Sequence, residues 1–424
     1  MIAGLIITIF ILGYIAIAFE HPLKINKAAS ALITGVLCWT VYILQSESSH
    51  IVGEELSHHL GEIASILFFL LGAMTIVELI DSHNGFDIIT QKIRTSSKSK
   101  LLLIIITFTF FLSALLDNLT TAIVMTSLCS KILSEKKDRI WFAGMIVIAA
   151  NAGGAWSPLG DVTTTMLWIG GQITPLNIMK TLILPSLVAC IIPAIIVAYR
   201  FKGKKVSPIP DSVCTPKEKK DGKIILFTGV GFLLFVPAFK TITHLPPFMG
   251  MLLALGLMWV ITTIIHKRKD NEIAERFTVA RALQKIDTPS ILFFMGILLA
   301  VSALQSFGIL KELATFLSST FKNDYLIGIA LGIISAVVDN VPLVAASQGM
   351  YDLTTYPTDH NFWEFLALTT GTGGSTVIIG TAAGVAVMGI EQIDFMWYLK
   401  KIGGLALLGF IAAILVFLIQ VELF

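Results

Sequence analysis

Apolar residues along this chain do not alternate with polar ones; they come in long blocks separated by short polar stretches. The clearest blocks run from Met1 to Phe19, Ala28 to Leu44, Ile63 to Val77, Leu245 to Ile265 and Ile402 to Val421. A helix needs about 20 such residues to cross bilayer hydrocarbon, where each backbone N–H and C=O must be paired inside the segment. The pattern predicts an all-α polytopic membrane protein. Met1 to Phe19 has no basic stretch ahead of it and no small-residue cleavage signal behind it, so it is expected to remain as a helix.

Two apolar blocks carry charge in their middle. "SALLDNLTTAI" (113–123) and "SAVVDNVPLVA" (335–345) each hold an Asp-Asn pair, at an offset of 222 residues. The likeness extends upstream, where "ILFFLLGAMTIVEL" (66–79) matches "ILFFMGILLAVSAL" (291–304). Downstream, "NAGGAWSPLGDVTT" (151–164) matches "GTGGSTVIIGTAAG" (371–384). Three blocks in one order predict a duplicated chain: halves 1–201 and 223–424 joined by a linker at 202–222. Each half is expected to cross the membrane five times and to hold one stretch that enters and returns. An odd number of crossings turns the second half upside down. Inverted-topology repeats of this kind belong to secondary transporters, with the site between the halves.

Composition sharpens this reading. The chain is 55% hydrophobic and only 14% charged, against about a quarter charged in soluble domains. Basic residues cluster at Lys24 and Lys27, from Lys92 to Lys100, 131–139, 200–223 and 266–285, whereas 45–60 and 351–360 are acidic or neutral. The positive-inside rule then puts the basic loops in the cytoplasm and both termini outside a bacterial-type cytoplasmic (inner) membrane, provided that the Asp-Asn stretches do not cross. Four cysteines at scattered spacings read as small apolar residues. His58-His59 read as part of a solvated loop. "AERFTVARALQKI" (274–286) reads as an interfacial amphipathic helix.

Four segments are expected to be interrupted: hairpins at 101–133 (cytoplasmic side) and 324–350 (outer side), and broken helices at 139–170 and 361–390. In the broken helices, Asn151 to Asp161 and Thr370 to Thr376 are the expected breaks, since paired glycines and Ser157-Pro158 oppose a continuous helix. Non-helical backbone at that depth survives where it is buried in protein or lines a cavity. The breaks carry oxygen donors: Asp117, Asp161 and Asp339, Asn118, Asn151 and Asn340, and the hydroxyls of Ser113, Thr120, Thr121, Ser157, Thr163, Thr164, Ser335, Thr372, Ser375 and Thr376. Hard cations favour such ligands, and the carbonyls of Gly153 and its neighbours are added candidates. Burial favours a protonated carboxylate and a bound cation favours an ionised one, so a single Asp can hold either. The plainer role for each Asp is to cap the helix that follows it, and capping and ion binding can coexist.

On these motifs the chain resembles the ion transporter superfamily, and within it the NhaD-type sodium/proton antiporters, over nearly its whole length. "SALLDNLTT" is similar to that superfamily's first hairpin tip and "NAGGAWSPLGDVTT" to its first broken helix. The resemblance implies a Na+ (or Li+) site at Asp117, Asn118, Asp161, Asp339 and Asn340, supported by Ser113, Asn151, Thr163, Thr164 and Ser335. It also implies transported Na+/Li+ and H+ without a cofactor, a homodimer in the lipid bilayer, and no nucleic-acid partner. Dicarboxylate carriers of the superfamily have Ser-Asn-Thr tips; an Asp there would repel a dicarboxylate. Thr381 stands where the repeat would place a second Asp161. An arsenite efflux carrier or a sodium-coupled organic-anion symporter on the same scaffold stays open. An intramembrane aspartyl protease is disfavoured, because Ser157-Pro-Leu-Gly-Asp161 lacks the first glycine of Gly-x-Gly-Asp.

Overall fold

The computed structural model describes residues 2–46, 48–86, 95–206, 216–267 and 278–423. Lys92, Arg94, residues 207–215 of the linker and 274–277 of the expected interfacial helix lie outside them. The first half runs α1 (Ile2–Ala18), α2 (Lys27–Gln45), α3 (Ser49–Ser82), α4 (Lys98–Leu116), α5 (Asn118–Ile132), α6 (Lys136–Ala155), α7 (Val162–Ile169) and α8 (Pro175–Arg200). The second begins with α9 (Pro216–Thr243), α10 (Pro247–His266), α11 (Val279–Lys285), α12 (Thr288–Ser306) and α13 (Ile309–Phe321). It continues with α14 (Asp324–Ile334), α15 (Asn340–Met350), α16 (Asn361–Gly373), α17 (Ala382–Glu391) and α18 (Phe395–Leu423), which holds a π-helical stretch at Leu399–Gly403. Among the described residues, eight helices are long and apolar enough to cross a membrane and there is no strand beyond an isolated bridge between Ser97 and Lys205. The chain is an all-α polytopic membrane protein.

The halves interlock. The helices α2 and α12 pack closely because neither Gly35 nor Gly296 carries a side chain: a Cβ at Gly35 would lie 2.6 Å from the Gly296 carbonyl, and one at Gly296 would lie 2.4 Å from the Leu32 nitrogen. Small residues at a helix crossing allow such backbone approach in the absence of a hydrophobic driving force within lipid. The converse pair, α3 and α10, also packs together, and α8 packs on α18.

Both Asp-Asn segments form helical pairs with a common open end. In the first, α4 and α5 meet at Asp117, while Lys98 at the start of α4 joins Glu135 and Asp138 beyond the end of α5. In the second, α14 and α15 are joined by 335–339, and Asp324 accepts from Tyr356 Oη at 2.6 Å beyond the end of α15. The open ends have different neighbours. The first lies beside the end of α17, through the Arg139–Glu391 pair (3.0 Å), and the second beside the end of α7, through Thr174–Asp359 contacts.

Two expectations are corrected. Residues 49–60, read as an outer loop with His58 and His59, are the first turns of α3; His50–Glu54 (3.6 Å) and His58–Glu62 (3.5 Å) are i,i+4 pairs that suit a helix. The broken helices break later than their glycines suggest. Helix α6 continues through Asn151, Gly153 and Gly154 and stops at Trp156, and α16 continues through Gly371 to Gly373. Gly153 and Gly373 are needed for packing instead: a Cβ would lie 2.3 Å from the Phe110 carbonyl in one and 2.1 Å from the Gly332 carbonyl in the other.

Overpacking of such a contact typically destabilises by about 1–3 kcal/mol. Gly153→Ala and Gly373→Ala are therefore expected to lower the thermal unfolding midpoint in detergent. Gly256→Ala, at a helical position open on all sides, is expected to leave it unchanged or raise it.

Candidate functional site

Three interior carboxylates each cap a helix, so the capping role weighed for them is present in all three. Asp117 accepts from the Thr120 amide (2.7 Å) and hydroxyl (2.9 Å) at the start of α5. Asp161 accepts from the Thr163 amide and hydroxyl, both at 2.9 Å, at the start of α7. Asp339 accepts from the Val341 amide at 3.3 Å at the start of α15. Asp117 does this at φ +89°, ψ 156°, a region that is essentially glycine-only and costs other residues about 1–3 kcal/mol. That single residue makes the whole turn between α4 and α5. The second tip uses five residues, 335–339, and leaves Asp339 at an ordinary φ of −48°.

The serines fix the breaks rather than face them. Ser113 Oγ donates to the Ala150 carbonyl (2.6 Å) and Ser335 Oγ to the Thr370 carbonyl (2.7 Å), the same bond in each half. Ser157 Oγ donates to the Ala114 carbonyl at 2.5 Å. These bonds hold each hairpin tip against its broken helix.

Asp161 is the hub. Asn118 Nδ2 donates to its Oδ2 at 2.6 Å, and Asn340 Nδ2 reaches Oδ2 at 3.1 Å and Oδ1 at 3.3 Å. The amides of both tips, one from each half, thus converge on a single carboxylate from the first broken helix. Asn118 Nδ2 also donates to Asn151 Oδ1 (3.1 Å), and Asn151 Nδ2 passes the chain on to Ser375 Oγ (2.9 Å) and Thr381 Oγ1 (3.0 Å). Thr381 occupies the position equivalent to Asp161 and, like it, caps the following helix, through Gly384 N at 3.2 Å.

A cavity of about 30 Å³ lies between the tips, lined by Asp117, Asn118, Asp161, Asp339 and Asn340 and walled by Leu70, Met74 and Phe294. A volume of that size admits one or two water-sized bodies. A larger cavity of about 180 Å³ shares Leu119, Ser290 and Ala382 with it and is lined further out by Glu20, Asn26, Lys27, Asp287 and Ala386. Lys27 Nζ stands 3.7 Å from Asp339. Among the described residues no three His, Cys, Asp or Glu side chains form a coordination sphere by themselves. A cation here would draw on amide, hydroxyl or carbonyl oxygens as well, as hard monovalent ions do.

Not every candidate joins this centre. Thr372 Oγ1 donates within its own helix to the Leu368 carbonyl, and Thr164 Oγ1 donates to the Asp161 carbonyl. Thr121 Oγ1 is buried without a hydrogen-bond partner, and the Thr376 carbonyl packs against Gly403. Gly153 is helical, so its carbonyl is not unwound. Lys27 and Ser290, which line the cavities, were not among the sequence candidates, and Thr381 was noted only as the departure from Asp161. Thr381 was legible from the repeat; Lys27 and Ser290 lie in segments with no pattern of their own.

The citrate transporter family profile (CitMHS) matches residues 14–371. Over 412 residues the chain is 47% identical to sodium/proton antiporter 1 of Arabidopsis thaliana, covering 97% of this chain and 71% of that one. It is 32% identical to the Na(+)/H(+) antiporter NhaD of Alkalimonas amylolytica, covering 97% and 89%. A solved structure of MtrF from Neisseria gonorrhoeae, titled as illuminating a class of antimetabolite efflux pumps, shares the fold, with TM-score 0.50 and 12% identity over 98% of this chain and 94% of that one.

Because Asp117→Gly and Asp117→Ala both remove the side-chain cap but only glycine is at ease at this φ, the glycine variant should be more stable, by about 1 kcal/mol or more. Thermal unfolding in detergent compares the two.

Proposed function

The chain belongs to the citrate transporter family, within its NhaD-type sodium/proton antiporters, and on that premise we propose that it exchanges Na+ or Li+ for H+ by alternating access at the Asp117–Asp161–Asp339 cavity. The observation that carries this reading is the convergence of both tip amides on Asp161 beside two further carboxylates. Three clustered carboxylates facing one ammonium, Asp161 buried and Asp117 and Asp339 partly so, are unfavourable when all are ionised and unoccupied. A proton or a small cation relieves that charge, and each does so at the expense of the other. Mutually exclusive occupancy is what an exchanger needs. Rotation of the Asn118 and Asn340 amides, so that oxygen replaces nitrogen, would supply ligands as sodium enters.

The repeat and its inversion are part of the same proposal. The equivalent serine bonds, the matched glycine contacts and the different neighbours of the hairpins' open ends support two inverted halves, 1–201 and 223–424, with re-entrant hairpins. With basic loops inward, both termini lie outside and the larger cavity faces the cytoplasm. The opposite side is held shut by cross-half bonds: Thr174 to Asp359 (2.6 and 2.7 Å), Thr358 to the Gly171 carbonyl (2.7 Å) and Gln348 to the Met166 carbonyl (3.2 Å). That combination suits an inward-facing state, and transport requires those bonds to break in turn. A homodimer is the assembly that accompanies this reading. The three carboxylates argue against a citrate-like substrate, since they would repel a second multivalent anion in a low-dielectric cavity.

In everted vesicles with an acid interior, added Na+ or Li+ should release protons, and Asp117→Asn, Asp161→Asn and Asp339→Asn should each abolish that response. Thr376→Ala should keep it within about twofold, as substitutions outside a site usually do. Silence to every alkali cation from folded wild-type protein would refute the reading. In a cysteine-free background, Ala386→Cys is expected to react with an impermeant thiol reagent from the cytoplasmic side; labelling only from the other side would reverse the orientation.

A further inference from the structure

The larger cavity brings a cation to the inner carboxylates before any ion arrives. Lys27 is the first residue of α2, placed by Asn26, whose side chain accepts from the Ala28 amide at 2.9 Å, and by its own amide, which donates to Glu20 Oε1 at 3.2 Å. Its side chain runs inward over the Phe293 ring, with Nζ 4.4 Å from the centroid, and ends 3.7 Å from Asp339 Oδ2. Glu20 and Asp287 line the same cavity, yet among the described residues neither is an ion-pair partner of Lys27. The ammonium therefore bypasses the outer acids for the carboxylate at the inner tip. The Lys27 side chain is 19% exposed and that of Asp339 12%, so this pair is less screened by water than a surface pair.

We propose that Lys27 is the tethered counter-cation of Asp339 in the ion-free state, and that an incoming sodium or lithium ion must displace it. The proposal rests on the exchange reading above and deepens it by naming the residue that sets apparent ion affinity. Lys27 is a positioning residue: it acts through Asp339 and not as a ligand of the transported ion. Two consequences follow from charge alone. While the ammonium is in place, one of the three carboxylates is neutralised and the cavity attracts an external cation less. When sodium binds, Lys27 swings out toward Glu20 and Asp287; its return to Asp339 helps expel the ion. A covalently held competitor thus weakens binding and speeds release. Lys27 lies on α2, packed on α12, whereas Asp339 sits at the hairpin tip. The pair also ties the hairpin to the helices around it, and it breaks and re-forms in each cycle.

The test uses purified full-length protein in proteoliposomes, with Na+ and Li+ as the probes, at alkaline pH where proton competition is weakest. Lys27→Gln is expected to lower the KM for Na+ about fivefold, the scale of one partly buried ion pair, and to lower kcat as well because release slows. Lys27→Arg, which keeps the charge, should restore both toward wild type. A merely structural role predicts reduced kcat or yield with KM unchanged or raised, and that outcome in Lys27→Gln overturns the proposal while leaving the exchange reading intact. If Lys27→Gln does not give monodisperse protein, Phe293→Leu decides. It removes the ring beneath the ammonium but keeps the charge, so a lower KM supports the proposal and an unchanged KM overturns it. Wild-type protein that exchanges no alkali cation would remove the parent reading, and this one with it.

Discussion

Carboxylates inside an apolar bundle have to be neutralised, hydrogen-bonded or paired, and the rest of this structure is arranged around meeting that demand for three of them at once. Each Asp begins by capping a helix, which satisfies an orphan backbone N–H and one of the carboxylate's own acceptor sites. Capping leaves charge over. Asp161 disposes of it through two amides, Asp339 through an ammonium at 3.7 Å, and Asp117 through the hydroxyl of Thr120. A site solved three different ways is poised, since no one arrangement neutralises all three groups.

The two hairpin tips do the same task with different backbone. Asp117 turns the chain alone, at a φ that glycine would adopt freely, and thereby keeps its carboxylate and the Asn118 amide adjacent at the head of α5. Replacing it by glycine would ease the turn and remove the carboxylate, which on the proposed reading is a reason for strain to be retained at such a position. The second tip is unstrained and longer, and Pro342 fits within the first turn of its helix, where a missing N–H does no harm.

On the proposed reading, duplication gives the scaffold its order, and departure from it gives the centre its character. Serine–carbonyl bonds, glycine contacts and helix caps recur in both halves at equivalent residues. At one pair of positions the halves differ: Asp161 has a carboxylate where Thr381 has a hydroxyl. Two symmetric carboxylates would have doubled the buried charge at the pseudo-symmetric centre. With threonine in the second half, Asn118 and Asn340 can both turn to one acceptor, and the two half-sites merge into a single asymmetric one.

Much of this was legible in the chain. Long apolar blocks specify helices because lipid leaves the backbone no other partner, and the repeated Asp-Asn pairs drew attention to the candidate site because a carboxylate in such a block needs a reason to be there. Glycines were misread: Gly153-Gly154 signalled a break on local propensity, but the helix runs through them to Trp156, and they serve close packing against the Phe110 and Gly160 carbonyls. The hub, too, was hidden. That Asp161 outranks the tip aspartates follows from contacts between residues 179 positions apart (Asn340–Asp161), and the chain of bonds continues over 224 (Asn151–Ser375). Lys27 looked like one more basic residue at the end of a span. Periodicity and composition report what a segment needs locally; which charge meets which is decided only when the two halves are packed together, because Coulombic and hydrogen-bond partners are set by distance in space and not along the chain.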